Sequence, residues 1–168
     1  MKRTIYSLLA LTFAIIFNVS AQKPASPKET VKGLIDGANV EIVYSAPSAK
    51  GRKIMGSLVP YGEVWRTGAN KATSIEFDKN VKIEGKDLPK GKYELFTIPG
   101  ETEWTIIIQK FGDQSGAYDY KEANDILRVV VKSSKASVFV ETFSITTEKN
   151  GINLKWENTS VSFKVKGA

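Results

Sequence analysis

From about Thr30 onward the chain alternates apolar and polar positions with a period of two, the spacing of a strand that buries one face. Val40, Ile42 and Tyr44 fall on one side while Glu41, Val43 and Ser45 fall on the other. The same alternation runs through 72–77 (ATSIEF), 80–85 (NVKIEG), 91–99 (GKYELFTIP), 103–109 (EWTIIIQ), 126–132 (ILRVVVK), 136–148 (ASVFVETFSITTE), 152–158 (INLKWEN) and 161–166 (VSFKVK). Turn chemistry bounds nearly all of these runs. Asn150-Gly151 suits a two-residue type I′ loop and predicts that 138–148 pairs antiparallel with 152–158. Pro99-Gly100 and Asp78-Lys79-Asn80 are expected to serve comparably between the runs that flank them. Trp104, Ile106 and Ile108 share one face, and Ile107 adds apolar surface to the other, which predicts a central strand. Trp156, and then Val161, Phe163 and Val165, are expected to face one way in strands covered on one side only. Apart from a single helical turn in 120–127 (YKEANDIL), no amphipathic helix is predicted. The expected fold is therefore all-β, an antiparallel two-sheet β-sandwich of jelly-roll-like or Ig-like form, with a closed barrel as the alternative.

The first residues follow a different pattern. Lys2 and Arg3 precede a mostly apolar run from Ile5 to Phe17, and Val19-Ser20-Ala21 supplies the small residues of a cleavage site before Gln22. Residues 1–21 are expected to be a signal peptide, because the run is too short to span a bilayer as a retained anchor. No cysteine follows it, which excludes a lipoprotein. A periplasmic or extracellular protein is expected. Residues 22–29, polar and proline-bearing, form a flexible leader, and 30–168 form one domain.

Charge and composition narrow the chemistry. The formal net charge is +6, and removal of Lys2 and Arg3 lowers it by two. The cations are scattered among acids, so no nucleic-acid footprint is expected, although a weak attraction to anionic envelope polymers is. With no cysteine and no histidine, disulfides, thiol catalysis, the usual nucleophilic triads, His/Cys zinc sites and a histidine general base are all excluded. The one S-x-x-K match, Ser20 to Lys23, straddles the cleavage point. A carboxylate-dependent hydrolase would draw on Asp113, Asp119, Glu122 and Asp125, residues that a solvated loop accounts for equally well. No calcium loop of D-x-D-x-D-G form is present, and Asn158-Thr159-Ser160 is a formal sequon of a length common by chance. Neither a cofactor nor a metal is expected.

Between Ser45 and Thr73 lies a connection far longer than a hairpin loop. Ile54, Met55, Leu58, Val59, Tyr61, Val64 and Trp65 predict that it packs as an Ω-like excursion over one edge or end of the sandwich. The stretches YSAPSAKGRKIMGSLVPYGEVWRTGANKATSIEF, LPKGKYELFTIPGETEWTIII and LKWENTSVSF resemble a family of exported bacterial proteins catalogued only as a domain of unknown function. The resemblance implies an exported single domain and brings no reaction, ligand or site residues.

Physical chemistry nominates the loop. Arg52, Arg66 and Asn70 carry planar hydrogen-bond donors and Tyr61 and Trp65 carry flat apolar faces, a combination suited to sugars or carboxylates. Tyr118 and Tyr120 alternate about Asp119 and are added to the same candidate surface. The competing account makes Trp65 a core plug, Arg66 a partner for loop carbonyls and Asn70 a turn residue. The function expected is a non-catalytic module that binds a glycan or polar envelope ligand. The alternatives are a structural or protein-interaction domain with another envelope protein as partner, and the hydrolase.

Overall fold

The computed structural model describes residues 25–168. The expected signal peptide and the first part of the leader, through residue 24, lie outside them. The chain forms β1 (Lys28–Ile35), β2 (Ala38–Ser45), β3 (Thr73–Phe77), β4 (Val81–Ile83), β5 (Lys86–Leu88), β6 (Gly91–Ile98), β7 (Glu103–Lys110), β8 (Asp125–Glu148) and β9 (Gly151–Gly167). A 3-10 turn at Glu122–Asn124 precedes β8, within the stretch expected to make one helical turn. Among the described residues no helix is long and apolar enough to cross a membrane.

All pairings between these strands are antiparallel, in the order β1-β2-β3-β6-β7-β8-β9-β4-β5. The all-β antiparallel class follows from the alternation as expected. The layers are nonetheless continuous, because β8 pairs with β7 over its first third and with β9 over much of the rest, carrying the sheet around a corner. β1 then lies against β8, where Gly33 sits so close that a Cβ would come within 2.3 Å of the Thr147 hydroxyl. The sheet curls over a single core from Ile35 to Val165 without closing, so the barrel alternative does not hold.

Several turns differ from expectation for local reasons. The β8–β9 hairpin forms, but Glu148 pairs with Gly151, so the two-residue loop is Lys149-Asn150. Neither Asn150 nor Gly151 takes a positive φ. Gly151 is required instead by close approach, since a Cβ there would lie 2.3 Å from the Phe163 carbonyl oxygen. Asp78-Lys79-Asn80 turns the chain without making a hairpin: β3 pairs with β2 and β6, β4 with β5 and β9. Asp78 accepts two bonds from Asn39, at 2.7 Å each. The type I′ positions fall elsewhere, at Asp36-Gly37 and Glu84-Gly85, both with positive φ at each residue. β1, which the alternation does not reveal, is mostly exposed and begins inside the expected leader.

β7 is central as predicted, with Ile106, Ile107 and Ile108 fully buried between β6 and β8. In β9, Trp156 and Val161 are both buried although their positions differ in parity. Glu157, at φ 49°, lies at the register irregularity that resets the alternation.

Candidate functional site

Residues 46–72 pack as the Ω-like excursion expected of them. Ile54, Met55, Val59 and Trp65 are buried, whereas Leu58 and Tyr61 remain largely exposed. Backbone bonds stitch the loop to the sheet: Ala49 N–H to Glu141 O, Phe143 N–H to Pro47 O, Gly62 N–H to Pro99 O, and a reciprocal pair between Trp65 and Thr97 at 2.7 and 2.9 Å. That reciprocal pair extends the edge logic of a strand for one residue and drives the indole inward. Trp65 stacks on Trp156 at 5.9 Å and meets Trp104 and Phe143 edge-on at 6.2 and 5.0 Å. Its Nε1 donates to Gly68 O.

The nominated side chains separate onto different surfaces. Trp65, with its polar atom satisfied and its ring in the aromatic cluster, fills the core. Arg52 donates to Ala49 O and Ser48 O and so satisfies its own loop. Asn70, at φ 59°, donates to the Ser45 hydroxyl. Arg66 is half-buried and lines a shallow pocket together with Leu58 and Tyr118, its Nε buried and unpartnered, while Tyr118 is 93 % exposed. Tyr120 belongs to a polar network on the outer face of β6–β8. Its hydroxyl donates to Asp125 at 2.7 Å and accepts from Arg128 at 2.6 Å, and its ring meets Phe96 edge-on at 5.3 Å. Burial, followed by the bond to Asp125, pushes the Tyr120 phenol up to about 12. Asp125 also accepts from Gln109 and Arg128, and Glu122 pairs with Arg128 at 3.3 Å. Asp113 pairs with Lys71 at 2.6 Å. Of the acids considered for a hydrolase, Glu122 and Asp125 thus share Arg128, Asp113 is paired with Lys71, and Asp119 is exposed.

Tyr61 alone among the nominated residues reaches a cleft of about 280 Å³ at the end of the curled sheet. Four separated segments build it: the loop at Met55 and Tyr61, the β6–β7 turn at Gly100–Thr102, β8 at Ser133–Lys135, and β9 at Asn158 and Thr159. Trp104 forms part of the wall. The Ser133 hydroxyl donates to Glu101 O and the Ser134 hydroxyl to Ser160 O, which fixes the rim. The turn is fixed by Gly100, where a Cβ would lie 2.4 Å from Glu103 O. The Nε1 of Trp104 is buried and reaches no acceptor in the protein. Chemically the cleft offers one aromatic face, hydroxyls, the exposed amide of Asn158 and the Lys135 ammonium, and the Trp104 indole, its N–H buried, completes the wall. Among the described residues, no group of three or more acids is placed to hold a metal ion.

Trp104 belongs to the core and also to the cleft wall, and Asn158, in the sequence only part of a formal sequon, lies on the rim. The polar run Asn158-Thr159-Ser160 beside a strand tryptophan was the available signal, but its meeting with Tyr61 is nonlocal.

Fold and cleft together define an antiparallel all-β protein with a small polar-aromatic cleft at one end of its sheet. The chain belongs to the family described as Protein of unknown function (DUF2911), which it matches over residues 26–165. Neither a curated protein nor a solved structure matches the chain.

Proposed function

We propose that the protein is a non-catalytic, exported binding module whose end cleft receives a polyhydroxylated ligand, a glycan of the cell envelope. The observation that carries this is the Trp104 Nε1–H, buried without a protein acceptor on the wall of a cleft otherwise lined by hydroxyls, an amide and a tyrosine. A buried donor left unpaired costs about 1–3 kcal/mol, so an acceptor brought by a ligand gains more there than on an open surface. Sugar hydroxyls both accept and donate, matching the indole on one side and Asn158, Thr159 and the serines on the other, while Tyr61 offers a ring face to pyranose C–H groups. The Lys135 ammonium favours sugars that carry acidic groups.

The test is titration of the protein with neutral and acidic cell-envelope glycans, read by tryptophan fluorescence, alongside Tyr61→Ala and Asn158→Ala. Both side chains are exposed, so the melting temperature should hold while affinity falls about tenfold in each. Absence of saturable binding across the set, or unchanged affinity in both variants, would overturn the proposal in favour of an interaction domain.

A further inference from the structure

A second built site lies on another surface. The outer faces of β2, β3 and β6, flanked by Asn70–Ala72 and by Phe111 and Asp113, enclose a groove of about 530 Å³. Strand register explains its floor. Val43, Ser74 and Glu94 pair across β2, β3 and β6, with Gln109 of β7 next in the row, so that all of them share one face. Glu94 is 1 % exposed, an unusual place for an acid inside a strand whose neighbours Tyr93, Leu95 and Phe96 are all buried. Its Oε1 accepts the Gln114 N–H at 2.7 Å. Its Oε2 is buried and has no donor in the protein. The backbone of Gly112 passes beside that oxygen, leaving space where a Cβ would sit 3.8 Å away.

The rim carries the complementary charge. Lys71 is engaged by Asp113, and Glu41 by Lys32, each at 2.6 Å. Lys92 and Lys28, which also line the groove, have no ion-pair partner among the described residues. Lys92 is held in place, its ammonium 4.5 Å over the Phe111 ring. The groove therefore presents one recessed acceptor that lacks a donor and two cations at its mouth that form no ion pair, with Glu41 and Asp113, each paired to another lysine, as the acids nearest them. A simple cation would meet the rim lysines, and a simple anion would meet the floor. A molecule carrying both an ammonium and a carboxylate satisfies both.

We propose that this groove binds a zwitterion of the α-amino acid class, free or as a short peptide, with its ammonium donating to Glu94 Oε2 and its carboxylate facing Lys92. Glu94 and Lys92 alternate on one strand face two residues apart, which sets floor and rim a few ångströms from each other. Phe111 forms an apolar wall for the ligand side chain. This site shares no residue with the end cleft.

Calorimetric titration of the protein with a panel of α-amino acids and dipeptides at low salt tests the assignment, each ligand compared with its N-acetyl and carboxamide derivatives. Saturable binding is expected, falling about tenfold or more on N-acetylation and in Glu94→Gln, and severalfold in Lys92→Gln with a weaker salt dependence. Tyr61→Ala should leave these affinities unchanged, so failure of the glycan proposal and failure of this one are separable. No binding by any member of the panel, or equal binding by N-acetyl forms, would overturn the assignment without reliance on any variant. Wild-type affinity in a folded Glu94→Gln protein would do the same.

Discussion

Residues 46–72 and residues 111–124 both leave the sheet and return to cover it, and they are held down by opposite chemistry. The first is anchored by an aromatic cluster in which Trp65 meets Trp104, Phe143 and Trp156 within 6.2 Å. The second is anchored by polar bonds, from Gln109 to Lys121 O and Asp125, from Tyr120 to Asp125, and from Gln114 to Glu94 and Gln109. Apolar packing is nondirectional and tolerates small shifts, so the first loop can carry an exposed working residue such as Tyr61 without endangering its anchor. A polar network fixes geometry more sharply but leaves a costly gap wherever a member lacks a partner. Glu94 Oε2 is such a gap, in a residue that lines a groove.

Substitution separates the two anchors. Trp65→Ala should cost the most, about 3–5 kcal/mol in urea unfolding, because it empties the centre of a four-ring cluster. A loss below about 1 kcal/mol would show that the rings close over the gap and that the aromatic anchor is dispensable. Asp125→Ala comes next, at about 2–3 kcal/mol, since it leaves Gln109, Tyr120 and Arg128 without their shared acceptor. Arg128 retains partial access to water, which limits the loss. Hydrogen exchange should then accelerate in 111–124 and remain unchanged in 46–72. Equal acceleration in both would mean that the two covers are coupled.

The smallest effect is the most diagnostic. Tyr120→Phe should cost about 1 kcal/mol near pH 8. In the unfolded chain the phenol ionises near its ordinary 10.0, whereas in the folded protein it holds its proton to about 12. Between those values the unfolded chain gives up the proton first, so the native state loses stability as pH rises. Phenylalanine does not titrate, and the deficit of the variant relative to the native protein should therefore shrink from pH 10 to 12. A constant deficit across that window would place Tyr120 outside the network.

The sequence disclosed those parts of the fold in which burial follows chain position. Ile42, Ile75, Ile106 and Phe163 could be placed because each alternates with a more exposed neighbour. β1 escaped notice because an edge strand with Lys28, Glu29, Thr30 and Lys32 exposed has little apolar rhythm to read. The parity change near Glu157 was hidden because an irregularity in register leaves no compositional mark. For the sites, letters were poor guides to position. Tyr61 and Trp65 stand four residues apart with similar chemistry, yet the hydrogen bonds between Trp65 and Thr97 send one ring into the core while the other stays 40 % exposed. Glu94 offered a clearer signal, an acid between Tyr93 and Leu95-Phe96 in a central strand. Its meaning depended on Lys92, Phe111 and Gln114 meeting it in space.

The placement of β9 between β8 and β4 bears on how the molecule comes into being. The β4–β5 hairpin, residues 81–88, joins the sheet through Val165–Gly167, so a short early hairpin must wait for a strand synthesised near the end of the described chain. Pairings so distant in sequence carry a large loop-closure cost and slow the search. Until that strand arrives, Val81, Ile83 and Leu88, all buried in the finished protein, remain exposed to whatever surrounds the nascent polypeptide. β9 therefore acts as the clasp, and a chaperone that recognises apolar segments would find a target in residues 81–88 during that interval.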